Sequence, residues 1–278
     1  MLRRPGVLLA LACACAAATV ALWFAANDVA AGRQLDAALA DDLYGHLPRW
    51  SDELLQGASS LADPLPFAVA AGALVALAWL HAGRLLALCI ALVLLAANVA
   101  TQLLQPALSG SRHVDLSATR LPDAGSWPSG HGAAAMLLAL GAILVAGQRL
   151  RAVTALVGLG YALGVGIALV ALDAHLPSDI VAAYLVAAVF TAAGAAAYAV
   201  LRRHAPQAEP GARSPLVAPA LGALAALAVF ATGVGKALVT RRDEVASAID
   251  KAPLALGATA TLTVAVVLGA GAVLVLRR

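Results

Sequence analysis

Trp127-Pro128-Ser129-Gly130-His131 is a short polar island at the head of an apolar run, and His175-Leu176-Pro177-Ser178-Asp179 is a second island of the same kind. Each stands where a hydrophobic stretch of helical length begins, so each is expected at the mouth of a membrane-spanning helix. Ionisable groups at such depth are costly and mark function by default. Two imidazoles, a carboxylate and a Ser-Gly turn converging at a membrane surface are the ingredients of phosphoryl chemistry on a lipid.

The sequence around the islands is strongly apolar. Of 278 residues, 62% are hydrophobic and 12% charged, against about 25% charged in a soluble domain. With a mean hydropathy of +0.90, the chain reads as an integral membrane protein. A spanning helix needs about 20 mainly apolar residues. Eight runs qualify, at 6–26, 65–82, 85–104, 131–147, 152–172, 179–201, 214–239 and 253–276. Ala, Leu, Val and Gly dominate them, and small residues permit the close helix approach on which packing in a bilayer depends. The fold expected is an all-α, polytopic membrane helix bundle. Residues 1–203 form its six-helix core, 204–213 a Pro- and Gly-containing linker, and 214–278 an appendage of two transmembrane helices. Nothing in the residues of those two spans argues for self-association.

The run to Ala26 that follows Met1-Leu2-Arg3-Arg4 is about 20 residues, longer than the ~7–15 of a signal-peptide core, so it is read as a retained first helix. Segment 33–64 carries Leu35, Leu39, Leu43 and Leu47 with acids between them, then Trp50, Leu54 and Leu55. This pattern suits one or two amphipathic helices lying on the membrane surface. The long 105–130 loop is of a length that is often functional.

Charge fixes the expected orientation. Arg3, Arg4, Arg84, Arg149, Arg151, Arg202, Arg203, Arg213, Arg277 and Arg278 fall in one alternating set of loops, and nearly all the carboxylates fall in the other. By the positive-inside rule both termini are cytoplasmic, and both islands open to the opposite side. The compact Ala-rich spans suit a bacterial inner membrane, with the site facing the periplasm. The net charge of +3 and 4% aromatic content give no basic patch interleaved with aromatics, so no nucleic-acid partner is expected. Cys13, Cys15 and Cys89 lie inside hydrophobic runs, without a Cys-x-x-Cys pair. They read as small apolar filler, and no metal or other cofactor is expected.

Ser129 is placed to cap the helix that follows it, and a helix start with a glycine that allows close approach is a ready anion site. His131 at that opening can give a proton to a leaving oxygen, or simply sit at the interface beyond a cap. His175 and Asp179 are one helical turn apart and can share a face. A carboxylate accepting from one ring nitrogen leaves the other as a nucleophile. Equally, Pro177-Ser178-Asp179 suits a plain helix start, where Asp is favoured.

Taken together, the islands resemble the type 2 phosphatidic acid phosphatase superfamily of membrane lipid phosphatases. That family carries Lys, six residues and Arg-Pro; then Pro-Ser-Gly-His; then Ser-Arg, five residues and His-x-x-x-Asp. The second motif is intact as Pro128 to His131, and the last part of the third is present as His175 and Asp179. The resemblance covers roughly residues 5–200. Gln105 stands where the family has Lys, and His113 where Pro follows Arg112. Ala168 and Leu169 stand where the family has Ser-Arg. A charge-assisted phosphate contact contributes about 1.5–3 kcal/mol. Arg120 and His113, in the same loop as Arg112, are therefore the candidate replacements, unless they are ordinary loop charges. Asp173 has no counterpart in the motif; it is either a loop acid or a group that repels the phosphate.

The resemblance implies that His175 attacks phosphorus, Asp179 orients it, and His131 protonates the departing lipid hydroxyl and then activates water. It also implies that Arg112 and the Ser129–Gly130 backbone hold the phosphoryl oxygens. The implied substrate is a lipid phosphate met within the bilayer, such as phosphatidate, phosphatidylglycerol phosphate or an isoprenyl pyrophosphate. Two alternatives use the same residues: a lipid phosphotransferase, and a catalytically impaired lipid-phosphate binding or transport protein.

Overall fold

The computed structural model describes residues 5–46, 52–108 and 126–204. Among these residues the chain is helical throughout, without strands. Its helices are α1 (Pro5–Asn27), α2 (Ala30–His46), α3 (Asp52–Ser60), α4 (Pro64–Ala82), α5 (Arg84–Leu108), α6 (Gly130–Val145), α7 (Arg151–Ala171) and α8 (Pro177–His204). The expected C-terminal spans at 214–239 and 253–276, the linker, and Arg112, His113 and Arg120 lie outside the described residues.

The six core runs each become one helix. Helices α1, α4, α5, α7 and α8 are long and apolar enough to cross a membrane. Helix α6 has 16 residues, about 24 Å at 1.5 Å per residue, and falls short of that length. It runs inside the bundle against α4, α5, α7 and α8, with Ala133 to Leu137, Ala139, Leu140 and Ile143 all buried. Leu65, Leu80, Leu92, Leu95 and Leu156 are more than half exposed on the outer faces of the bundle. Apolar surface of this kind on helices of spanning length belongs in lipid. The protein is an integral membrane protein.

Helix α8 is the axis of the bundle, packed mainly by α1, α5 and α6. Its inner surface is built from small side chains: Ala182, Ala183, Ala187, Ala188, Ala195 and Ala196 are buried. Glycines bring the neighbours closer still, since a Cβ at Gly194 would collide with Val93 of α5. The Tyr184 hydroxyl donates to the Ala162 carbonyl of α7, so the one bulky polar group on this surface is satisfied. A single residue joins α4 to α5. Gly83 adopts φ 89° and ψ 176°, a conformation essentially reserved for glycine.

Segment 33–64 contains two helices, α2 and α3, and the leucine stripe is only in part the buried face of α2: Leu43 is buried and Leu39 packs against the core, but Leu35 does not. Leu35 is 61% exposed, whereas Asp36, Ala40 and Leu43 are buried. That face turns toward α7 and α8, with α1 alongside. An acid on the inward face looks costly in isolation. The reason for it lies at the start of α8.

Candidate active site

Five hydrogen bonds gather one end of the bundle. Gln105, near the end of α5, donates through Nε2 to the Pro128 carbonyl at 3.0 Å. The Ser129 N–H donates to the Asp179 carbonyl at 3.1 Å, which ties the start of α6 directly to the start of α8. The Leu169 carbonyl, near the end of α7, accepts from Ala174 N–H at 3.0 Å and His175 N–H at 3.2 Å. Asp63, at the start of α4, accepts from His131 Nε2 at 2.9 Å. The two polar islands therefore share one mouth.

At the first island, Ser129 is the N-cap of α6, and its Oγ accepts from Gly132 N–H at 3.2 Å. Ser129 is fully buried. The side chain thus satisfies one orphan donor of the helix start. A Cβ at Gly132 would press on Ala183 of α8, at 3.3 Å, so that glycine serves packing. Gly130 differs: a Cβ there would meet Gln105 Nε2 and Gln102 Nε2 at an ordinary 3.7 and 3.9 Å. Packing does not require glycine at this position.

At the second island, α7 ends and the chain turns back through Asp173, which has φ 58°. Asp is among the few non-glycine residues that tolerate the left-handed region, so Asp173 has a conformational role in the turn. His175 Nδ1 lies 3.2 Å from Asp179 Oδ2, and the same oxygen accepts from Leu176 N–H at 3.0 Å. An ionised carboxylate only accepts. The pair therefore places a proton on Nδ1 and leaves the Nε2 lone pair for chemistry. The His175 side chain is 12% exposed and that of Asp179 is 0%, so the pair is shielded from water and held in one geometry.

Asp36 explains its inward position here. Its carboxylate accepts from Ser178 N–H at 2.9 Å and Ser178 Oγ at 2.5 Å, capping α8 from another helix. A negative group near a helix N-terminus also favours the helix dipole.

The family's cationic positions have other duties in this chain. Gln105 steadies the Pro128 backbone, and Leu169, buried, anchors the His175 turn through its carbonyl. Ala168 is buried on α7. Among the described residues, no group of three His, Cys, Asp or Glu side chains is arranged to hold a metal ion.

Residues 82–205 match the family model of the PAP2 superfamily. Over that stretch the chain is similar to the PAP2 superfamily. No curated protein and no solved structure matches the chain. The PAP2 segment takes in α5 to α8 and both islands. Asp36 and Asp63 lie ahead of it, on α2 and at the start of α4. The motif spacing points to Ser129, His131, His175 and Asp179. It does not mark the two acids that touch these islands from outside the PAP2 segment, because each arrives from a distant part of the chain.

Proposed function

We propose that this protein is a lipid phosphate phosphatase working through a phosphohistidine. Similarity to the superfamily supports phosphatase-type chemistry on lipid phosphates. The observation that carries the finer reading is the His175–Asp179 pair joined to the Ser129 cap through the Asp179 carbonyl. It supports reading His175 as the nucleophile, beside the start of the helix that bears the second histidine.

In the first step His175 Nε2 attacks phosphorus and the bond from phosphorus to the lipid oxygen breaks. The departing oxygen keeps the electron pair and takes a proton from His131, giving a free lipid alcohol and phospho-His175. Asp179 holds the Nδ1 proton and stabilises the positive ring. In the second step water attacks phosphorus and gives a proton to His131. The N–P bond breaks, its pair returns to His175, and inorganic phosphate leaves. The Gly130 and His131 N–H groups at the start of α6 hold the phosphoryl oxygens, since Ser129 N–H is taken by the Asp179 carbonyl and Gly132 N–H by the Ser129 hydroxyl, with Arg112, and Arg120 or His113, as their cationic partners. That packing does not require glycine at Gly130 supports a close backbone approach there.

The test is phosphate release in detergent from phosphatidate, phosphatidylglycerol phosphate and an isoprenyl pyrophosphate. Wild type should release phosphate, and His175→Ala should lose at least about 10³-fold of that rate, as expected for removal of a nucleophile. Equal rates for the two proteins, or no release from any substrate, would overturn the proposal. Saturable binding without turnover would instead assign a lipid-phosphate binding protein, a reading favoured by the neutral Gln105 and Leu169.

A further inference from the structure

We infer that Asp63 is the positioning residue of His131, so that each histidine of the site has its own carboxylate. The inference deepens the phosphatase reading and rests on it.

The sequence Asp63-Pro64-Leu65-Pro66 opens α4, with Asp63 as its N-cap at φ −58° and ψ 156° and no side-chain cap bond. An Asp at that position ordinarily accepts from the N–H of the second or third helical residue. Here the first and third residues are prolines, which have no N–H. Two of the first three donors are gone, and the carboxylate has little local work. It reaches instead across 68 residues of sequence to His131 Nε2 at 2.9 Å.

Fold stability does not account for the contact. The side chains of His131 and Asp63 are 39% and 49% exposed, and exposed ion pairs contribute little to folding. The contact does fix a proton. The carboxylate accepts, so Nε2 carries hydrogen and Nδ1 is the nitrogen left to serve the substrate. When His131 is protonated, Nδ1–H is the proton delivered to the lipid oxygen as its bond to phosphorus breaks. In the second step Nδ1 recovers a proton from water while Nε2–H stays on Asp63. Asp179 performs the parallel task for His175 in full burial. Asp63 does so at an open mouth, where the proton can be exchanged with water.

The experiment compares two phosphate monoesters. A dialkylglycerol phosphate expels an alkoxide and needs the proton, whereas p-nitrophenyl phosphate expels a stable phenolate and does not. General acid catalysis contributes about 10²–10⁴-fold. On that scale Asp63→Asn should lower kcat on the lipid phosphate by about 10- to 100-fold, with KM within about twofold. On the aryl phosphate it should lose less than about threefold. Asp63→Glu should recover much of the lipid rate. Adding Asp63→Asn to His131→Ala should cost nothing further, because the residue acts through that ring.

A wild-type rate for Asp63→Asn, an equal loss on both esters, or a loss that persists in the His131→Ala background would overturn the inference and leave the phosphatase reading standing. Release that His175→Ala leaves untouched, or no release by wild type, would overturn both.

Discussion

Asp36 and Asp179 both bind the first turn of α8, yet they stabilise it differently. Asp179 is local: it closes a turn onto Leu176 N–H and holds His175 Nδ1. Asp36 comes from 142 residues away and engages both polar hydrogens of Ser178 while buried. Losing a charged cap leaves two buried donors unpaired, so Asp36→Ala should cost about 3 kcal/mol. Asp36→Asn keeps an acceptor for one of them and should cost about 1 kcal/mol. Thermal unfolding in detergent should therefore rank wild type above Asn above Ala; three equal melting temperatures would show that Ser178 is held by something else. This pair also marks the limit of sequence reading at the residue scale. Ser129, His131, His175 and Asp179 could be picked out because their relations are set within one turn of helix. Asp36 and Asp63 are ordinary acids in an acidic stretch. Only tertiary contact distinguishes them from their neighbours, although the prolines at 64 and 66 carry a faint local sign that Asp63 is not a helix cap.

At the scale of elements, apolar runs of spanning length were enough to place all six core helices, since a bilayer forces each run to satisfy its own backbone. Which face of a helix turns inward was less legible. In α2 the buried face keeps Leu43 of the leucine stripe but sets Asp36 and Ala40 inward and Leu35 outward, and Asp36 there meets the Ser178 donors at the start of α8. In the spans, some small residues do mark a contact. Gly194 of α8 sits where a Cβ would collide with Val93 of α5. Overpacking of this kind costs about 1–3 kcal/mol, so Gly194→Ala should lower stability by about 2 kcal/mol. Val93→Ala in the same molecule should restore much of the loss by making room. A double variant as unstable as Gly194→Ala alone would mean that the α5–α8 contact is not limited by this pair.

The whole molecule is polarised, and the polarity follows from its connectivity. The starts of α4, α6 and α8 and the ends of α5 and α7 meet at the site. The opposite end therefore holds the α4–α5 turn, the α6–α7 turn and the end of α8. Among the described residues that opposite end carries Arg84, Arg149, Arg151, Arg202 and Arg203 and no acid, whereas the site end carries Arg33 among many carboxylates. By the positive-inside rule such a difference is expected to set the basic end in the cytoplasm, and on that basis we propose that the two islands face outside. A substrate would then meet its phosphate site from the outer leaflet, and released phosphate would leave on that side. Cysteine accessibility tests this directly. Gln56 lies exposed on α3 near the site, and Gln148 lies exposed between α6 and α7 at the far end. Against the background of the wild type and its three cysteines, a membrane-impermeant maleimide should label Gln56→Cys in intact cells and Gln148→Cys only after lysis. The reverse pattern would place the histidines in the cytoplasm and require a substrate drawn from the inner leaflet. Labelling of both in intact cells would mean that α6 and α7 do not cross the bilayer as a hairpin.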